Sequence, residues 1–409
     1  DAQLNERAAD FPDLPTPGRY RAAAQPAPAA AIENALQMLR TARAPILLAG
    51  EGVQRSRAQG AFAELAHRLK CPVLTTLGGA GAFPETEAQW LRYMGKAGGE
   101  AIAASDLLLA VGTCLPETAN YGRLQNFAVN DEGRQVILVE PDAAAVGVNR
   151  PVDLALIGQV DLVLAQLLEA VGDGSAFKEH AELDKWRNAS KAEDKALTDN
   201  LPRSNRLHPG HLMLEARRAV PEDAVIVVDG GLTMLYQYAF FEKRSSEFIY
   251  TANFGHLGSG IGLAIGAQLA AGRTRPVCLI TGDGALGFHI MDFETAVRHR
   301  LPIVIVLNDD QALGAEMAQH MQHIGHEIQV AFSPVNYAAM AEAMGGFGIR
   351  VERREDIAAA IEDAFGQAAA HNKPAIVQVS TDQDASHTYP VPYVGELAGW
   401  KEADVLARI

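Results

Sequence analysis

Residues 277–314 read VCLITGDGALGFHIMDFETAVRHRLPIVIVLNDDQALG, and this stretch decides the fold. Val277 to Ile280 is an unbroken apolar run that leads into Gly282-Asp283-Gly284. Ile303 to Leu307 is a second run, closed by Asn308-Asp309-Asp310. Short runs of this kind suit strands buried on both faces, as the strands of a parallel sheet are. The segment Asp292-Phe293-Glu294-Thr295-Ala296-Val297-Arg298 between them reads as the crossover helix that two parallel neighbours need.

The same alternation extends in both directions. On the C-terminal side of the chain, Val225 to Val228, Phe248 to Tyr250 and Ile376 to Val379 are further strand candidates. Ser333-Pro334 reads as a helix start and Gly345-Gly346 as its stop. Upstream, Ile46 to Ala49, Val73 to Thr75, Leu107 to Val111 and Val136 to Val139 alternate with helical patterns such as Ala31 to Arg40. The expectation is an α/β chain of two doubly wound parallel-sheet domains. Residues 1–30, rich in Pro and Ala (Pro12, Pro15, Pro17, Pro26, Pro28), read as a linker, and 31–172 as the first domain. Residues 173–206 are a charged connector, 207–382 the second domain, and 383–409 a tail whose Tyr389, Tyr393 and Trp400 imply packing against something.

Composition narrows the function classes. A net charge of −15 without a Lys/Arg run argues against nucleic-acid binding, which needs a positive footprint. No apolar run approaches the ~20 residues that span a bilayer, and no signal peptide is visible. Cys71, Cys114 and Cys278 are odd in number and far apart, as buried free thiols would be. The expected location is the cytoplasm.

A Gly-Asp-Gly at the carboxyl end of a parallel strand sits where open α/β sheets bind ligands. Gly282 and Gly284 let the backbone approach a phosphate, and the amides of Ala285 and Leu286 can donate to its oxygens. Asp283 offers Mg²⁺ a hard oxygen, and Asp310, at the end of the neighbouring strand, offers a second. Alone, each of these pieces is weak, because a lone Gly-Asp-Gly is a turn more often than a site.

Taken together, 27 positions from Asp283 to Asp310, Thr295-Ala296-Val297-Arg298, Leu301-Pro302 and the run through Gly314 resemble the thiamine-diphosphate fingerprint. The family is the acetolactate synthase and pyruvate decarboxylase superfamily. The resemblance implies thiamine diphosphate and Mg²⁺ as cofactors, with Asp283, Asp310 and the Ala312 carbonyl on the metal and Leu313 and Gly314 beside it. Asp229-Gly230-Gly231-Leu232-Thr233 aligns with a second diphosphate loop, where several members carry Gln-His in place of Leu232-Thr233. Asn253-Phe254-Gly255-His256-Leu257-Gly258 aligns with the segment holding the aminopyrimidine. Leu257 falls on the bulky residue that bends thiamine so that its amino group meets the thiazolium C2. His256 and His289, each beside a cofactor motif, are the proton-transfer candidates.

The implied activity is carbon–carbon lysis or carboligation of a 2-oxo acid, with a 2-hydroxyacyl-CoA lyase or oxalyl-CoA decarboxylase-like enzyme as the alternative. A non-catalytic scaffold that keeps the fold is the rival from another class. A nucleotide-binding Rossmann protein is disfavoured, because no Gly-x-Gly-x-x-Gly follows a first strand. Family members activate the aminopyrimidine with a glutamate from an N-terminal domain that nothing here matches. That domain is therefore expected in cis or from a partner chain, within a homodimer or tetramer.

Residues 31–172 resemble the family's middle domain through Ala49-Gly50-Glu51-Gly52-Val53, Gly81-Ala82-Phe83-Pro84-Glu85 and Ser105-Asp106-Leu107-Leu108. After Val111-Gly112 the chain reads Thr113-Cys114-Leu115-Pro116-Glu117-Thr118, without the basic residues that hold FAD. FAD is not expected, and ADP or CoA stays open. Glu140 and Asp142 read as capping or solvated acids. His320, His323 and His326 do not share a helical face, so a metal site there is not expected.

Overall fold

The computed structural model describes residues 16–19, 22–93, 95–115, 133–202, 206–244, 247–250 and 255–388. Pro12, Pro15, Pro116, Glu117, Thr118, Asn253, Phe254, Tyr389, Tyr393 and Trp400 lie outside them.

The first sheet contains β1 (Pro45–Ala49), β2 (Val73–Thr75), β3 (Trp90–Arg92), β4 (Leu107–Val111), β5 (Gln135–Glu140) and β6 (Leu154–Ile157). Their order is β3-β2-β1-β4-β5-β6 and every pairing is parallel. Alternate residues feed opposite faces. Leu47, Leu109 and Ile137 pack under the helices Ala29–Thr41, Gln59–Leu69 and Val160–Val171. Ile46, Leu108 and Val136 pack with the helix Lys96–Ala104 and with Trp186 of the connector helix Leu183–Asp199. Two buried faces explain why these strands carry no polar alternation.

The second sheet contains β7 (Val225–Val228), β8 (Phe248–Tyr250), β9 (Val277–Gly282), β10 (Ile303–Asp309), β11 (Phe347–Val351) and β12 (Ala375–Ser380). It runs β11-β12-β10-β9-β7-β8, again all parallel. Ile226, Ile280 and Val306 face the helices Pro209–Ala219, Leu232–Phe240 and Arg354–His371. Val227, Leu279 and Ile305 face Gly260–Ala270 and Tyr337–Ala343.

One expected helix start moves. The helix after Ser333-Pro334 begins at Tyr337, because Asn336 caps it by accepting the Ala339 amide at 2.9 Å. It stops at Ala343, just before Gly345-Gly346. Cys71 and Cys278 are buried free thiols, and Cys114 is a half-buried one. No helix among the described residues is long and apolar enough to cross a membrane.

The two sheets meet at a packed seam. Leu77 and Ala80, from the loop after β2, belong to the core of the second sheet. The fully buried Lys243 lies 3.3 Å from Glu85 across the same boundary.

Candidate active site at the strand ends of the second sheet

In the second sheet the connections reverse direction between β7 and β9, and the loops there part to form a cleft of about 200 Å³. Its walls come from the carboxyl ends of β7 to β10: Gly230 to Thr233, Gly255 and Leu257, Gly282 to Ala285, and Asp310 with Ala312 to Glu316. Three helices begin at this rim, at Leu232, Asp283 and Gly314, so their positive ends point at the same space. At the corresponding crevice of the first sheet the loops after β1 and β4 bond to each other. Gly50 N–H donates to Val111 O and Gly52 N–H to Gly112 O, both at 2.9 Å. A cavity of only about 10 Å³ lies past the ends of β4 and β5, beside Thr113, Cys114, Asn149 and Arg150.

Asp283 and Asp310 form the polar floor of the cleft, 3% and 6% exposed. Their carboxyls are within hydrogen-bond reach of each other. The Gly284 amide donates to Asp283 at 2.8 Å, and the Ala312 amide to Asp310 at 3.3 Å. Burial, then the charge of Asp309, pushes Asp283 up to about 7. Burial, then Asp283 itself, pushes Asp310 well above the usual carboxylate range. Two crowded acids, with no basic side chain among the described residues in an ion pair with either, are what a cation would relieve.

Ala312 is held by an isolated antiparallel bridge to Ala331. The flanking bonds use the Gln311 carbonyl and the Leu313 amide, not the Ala312 carbonyl. Gln311, at φ 58°, makes the left-handed turn that brings Ala312 to the cleft. Among the described residues no three His, Cys, Asp or Glu side chains form a ready-made metal site. The donors here are two carboxyls and a carbonyl, a hard but incomplete set. It suits an ion that takes its remaining oxygens from water and phosphate.

The acid pair has a consequence for the cation-free protein. Unfolded aspartates ionise near pH 4, whereas the folded pair keeps protons to higher pH. Between those limits the folded state binds more protons, so its stability is full at low pH and is lost as pH rises through the folded pKa. Against Asp310→Asn, the wild-type protein is expected to lose about 1 kcal/mol or more between roughly pH 5 and pH 7.5. Calorimetric melts in chelator would measure this, and parallel curves for the two proteins would contradict the buried pair.

Other expected residues fall into three groups. Fourteen of the sixteen cofactor candidates line the cleft, and His256 and Leu286 do not. Leu286 is buried in the core behind the loop. His256 is exposed, and His289, also exposed, faces Asp292 at 3.9 Å, so neither ring is brought to the acid pair. His320 accepts the Ile328 amide at 3.2 Å, and His326 lies 3.1 Å from the Ile324 carbonyl, both local turn contacts. Asp142 caps a short turn by accepting the Ala144 amide.

The structure also adds residues that motif spacing passes over. Asp229 does not face the cleft. It accepts the amides of Gly230 and Gly260 at 2.7 Å and of Gly258 at 3.0 Å, tying the loop after β7 to the one after β8. Asp309 accepts from Gln378 at 2.6 Å, and its charge helps to raise Asp283. Asn308 turns to the other face and donates to Thr233 at 3.2 Å. Alternation along β10 is the signal that separates Asn308 from Asp309.

Residues 229–379 match the C-terminal TPP binding domain of thiamine pyrophosphate enzymes, and residues 32–167 match the central domain. The chain belongs to the thiamine pyrophosphate enzyme family. Among its relatives, the acetolactate synthase large subunit of Cyanidium caldarium is 29% identical over 340 residues, 81% of this chain and 57% of that protein. A putative thiamine pyrophosphate-containing protein of Bacillus subtilis is 28% identical over 356 residues, 84% of this chain and 58% of its own length. The sulfoacetaldehyde acetyltransferase of Alcaligenes xylosoxydans xylosoxydans is 26% identical over 382 residues, covering 86% and 62%. The chain thus spans about three-fifths of the length of each of these relatives. The cleft lies wholly within the part matched to the TPP binding domain.

Proposed function

We propose that this chain is the central and diphosphate-binding part of a thiamine-diphosphate- and Mg²⁺-dependent carbon–carbon lyase or carboligase acting on a 2-oxo acid. The observation behind the reading is the crowded Asp283–Asp310 pair, set among glycines and three helix starts at the reversal point of a parallel sheet. Asp283, Asp310 and the Ala312 carbonyl would hold Mg²⁺, and the surrounding amides the diphosphate. Leu257, on the cleft wall, would support the bend of the thiamine. When bound, the cofactor supplies a carbanion sink for the bond next to a carbonyl. The chain's own groups anchor its charged end, orient it and keep that end away from bulk water. The pyrimidine-binding domain, with its activating glutamate, would come in cis or from a partner chain in an oligomer. Relatives named as acetolactate synthase and acetyltransferase support ligation of acyl fragments.

The test is turnover of a 2-oxo acid panel by the complete assembly with thiamine diphosphate and Mg²⁺, run beside 2-hydroxyacyl-CoA substrates. Steady product formation from a 2-oxo acid is the expected result. Cleavage of the CoA substrates alone would move the assignment to the acyl-CoA lyases. Cofactor binding without any turnover would make the chain a scaffold.

A further inference from the structure

The helix Leu232–Phe240 joins two places that the proposed function treats separately. Its first turn, Leu232 and Thr233, forms part of the cleft wall. Its last turn ends at the seam, where residues of the first domain hold its carbonyls. Arg92, at the end of β3, donates to Tyr238 O at 3.2 Å and to Ala239 O at 3.3 Å. The same guanidinium meets Asp194 of the connector helix at 2.7 Å. Lys243 donates to Tyr238 O at 2.6 Å and is paired with Glu85 at 3.3 Å. Glu85 also accepts the Lys243 amide at 3.1 Å, and its own amide donates to the Lys243 carbonyl at 2.8 Å. Arg92 is 6% exposed and the Lys243 side chain is fully buried, so these bonds are shielded from water. Burial pushes the Lys243 ammonium down to about 8, which its acidic partner Glu85 opposes.

Two cations at the carboxyl end of a helix bond its last carbonyls and oppose its negative pole. What makes this more than a cap is the tightness of the other end. A Cβ on Gly282 would lie 2.8 Å from Thr233 Oγ1, and one on Gly314 would lie 2.9 Å from Leu232 Cδ2. Thr233 also accepts from Asn308, next to the acid pair. The first turn of the helix is therefore in close contact with both glycine loops. A slide along its axis drives Leu232 and Thr233 against the loops that carry Asp283 and Asp310, or opens a gap beside them.

We propose that Arg92, assisted by the Glu85–Lys243 pair, is a positioning residue of the diphosphate cleft. It fixes the axial place of the Leu232–Phe240 helix from the opposite domain. The first domain thereby takes part in cofactor binding without touching the cofactor. This inference rests on the cofactor reading above.

The experiment is a calorimetric titration with magnesium pyrophosphate, which probes the diphosphate end alone, on full-length protein at a temperature where melts show each variant folded. Arg92→Met should weaken binding about tenfold or more, because small displacements at a preorganised site are costly. Arg92→Lys, which keeps a cation at the carbonyls, should recover most of that loss. Ile137→Val, in the first sheet's core and away from the seam, should lower the melting temperature without changing affinity. If Arg92→Met does not fold, the double variant Glu85→Gln/Lys243→Met takes its place, with the same expected loss. Either variant, folded and binding within about twofold of wild type, would overturn the positioning role and leave the cofactor reading intact. A wild-type protein that binds no magnesium pyrophosphate would overturn both.

Discussion

Asp283→Ala is expected to cut Mg²⁺-dependent affinity for thiamine diphosphate by on the order of 100-fold or more, about 3 kcal/mol. Asp283 supplies one of the two carboxyls that form the cleft floor, and alanine leaves the cation to water, phosphate and Asp310. The same change should move stability in the opposite direction. It removes one member of a buried acid pair, so the cation-free protein should melt at a higher temperature near neutral pH. Asp310→Asn keeps an oxygen in place and should cost less affinity. Calorimetry with and without Mg²⁺ reads the first effect and thermal melts the second. Unchanged affinity in Asp283→Ala would remove the site assignment, whatever the melts show.

The second large effect is structural. Asp229 is 2% exposed and accepts amides from Gly230, Gly258 and Gly260. Asp229→Ala leaves three buried donors without their acceptor, and each such loss costs about 1–3 kcal/mol. The expected destabilisation is about 3–5 kcal/mol in urea unfolding, short of the full sum because water can enter the loosened loops. Asp229→Asn retains one acceptor oxygen and should lose roughly half as much. A loss below about 1 kcal/mol in the alanine variant would mean that the loops after β7 and β8 are not held through this carboxylate.

The nine strands foreseen from unbroken apolar runs all exist, while β3 and β11 give no such signal and the short apolar run of β6, Leu154-Ala155-Leu156-Ile157, was passed over. All three lie at a sheet edge. Trp90-Leu91-Arg92 is three residues long and ends in a cation, Leu154–Ile157 is mostly half-buried, and Phe347–Val351 contains Gly348 and Arg350. An edge strand has only one neighbour, so it need not be apolar throughout. The cleft was legible for a related reason. Glycines and acids at the ends of central strands have few structural uses other than turning and binding. The role of Asp229 was not legible, because an acid beside two glycines looks the same whether it faces a ligand or its own backbone. The direction of His256 and His289 was not legible either, because adjacency in sequence says nothing of it. Only the fold turns both rings outward.

The all-parallel pairing of both sheets also bears on how the chain reaches this state. No strand here can be joined to its neighbour by a tight turn, so each pairing waits for a crossover segment to collapse onto the sheet. Contacts between residues far apart in sequence make folding slow, with unpaired strand edges exposed in the meantime. Synthesis from the N-terminus eases this. All six strands of the first sheet emerge before any of the second, so the first can close while Lys243, the partner of Glu85, is still to be made. Refolding from denaturant has no such order, and both sheets must compete there for the same interval of exposure. Yield on refolding should therefore fall with concentration more steeply than yield on synthesis.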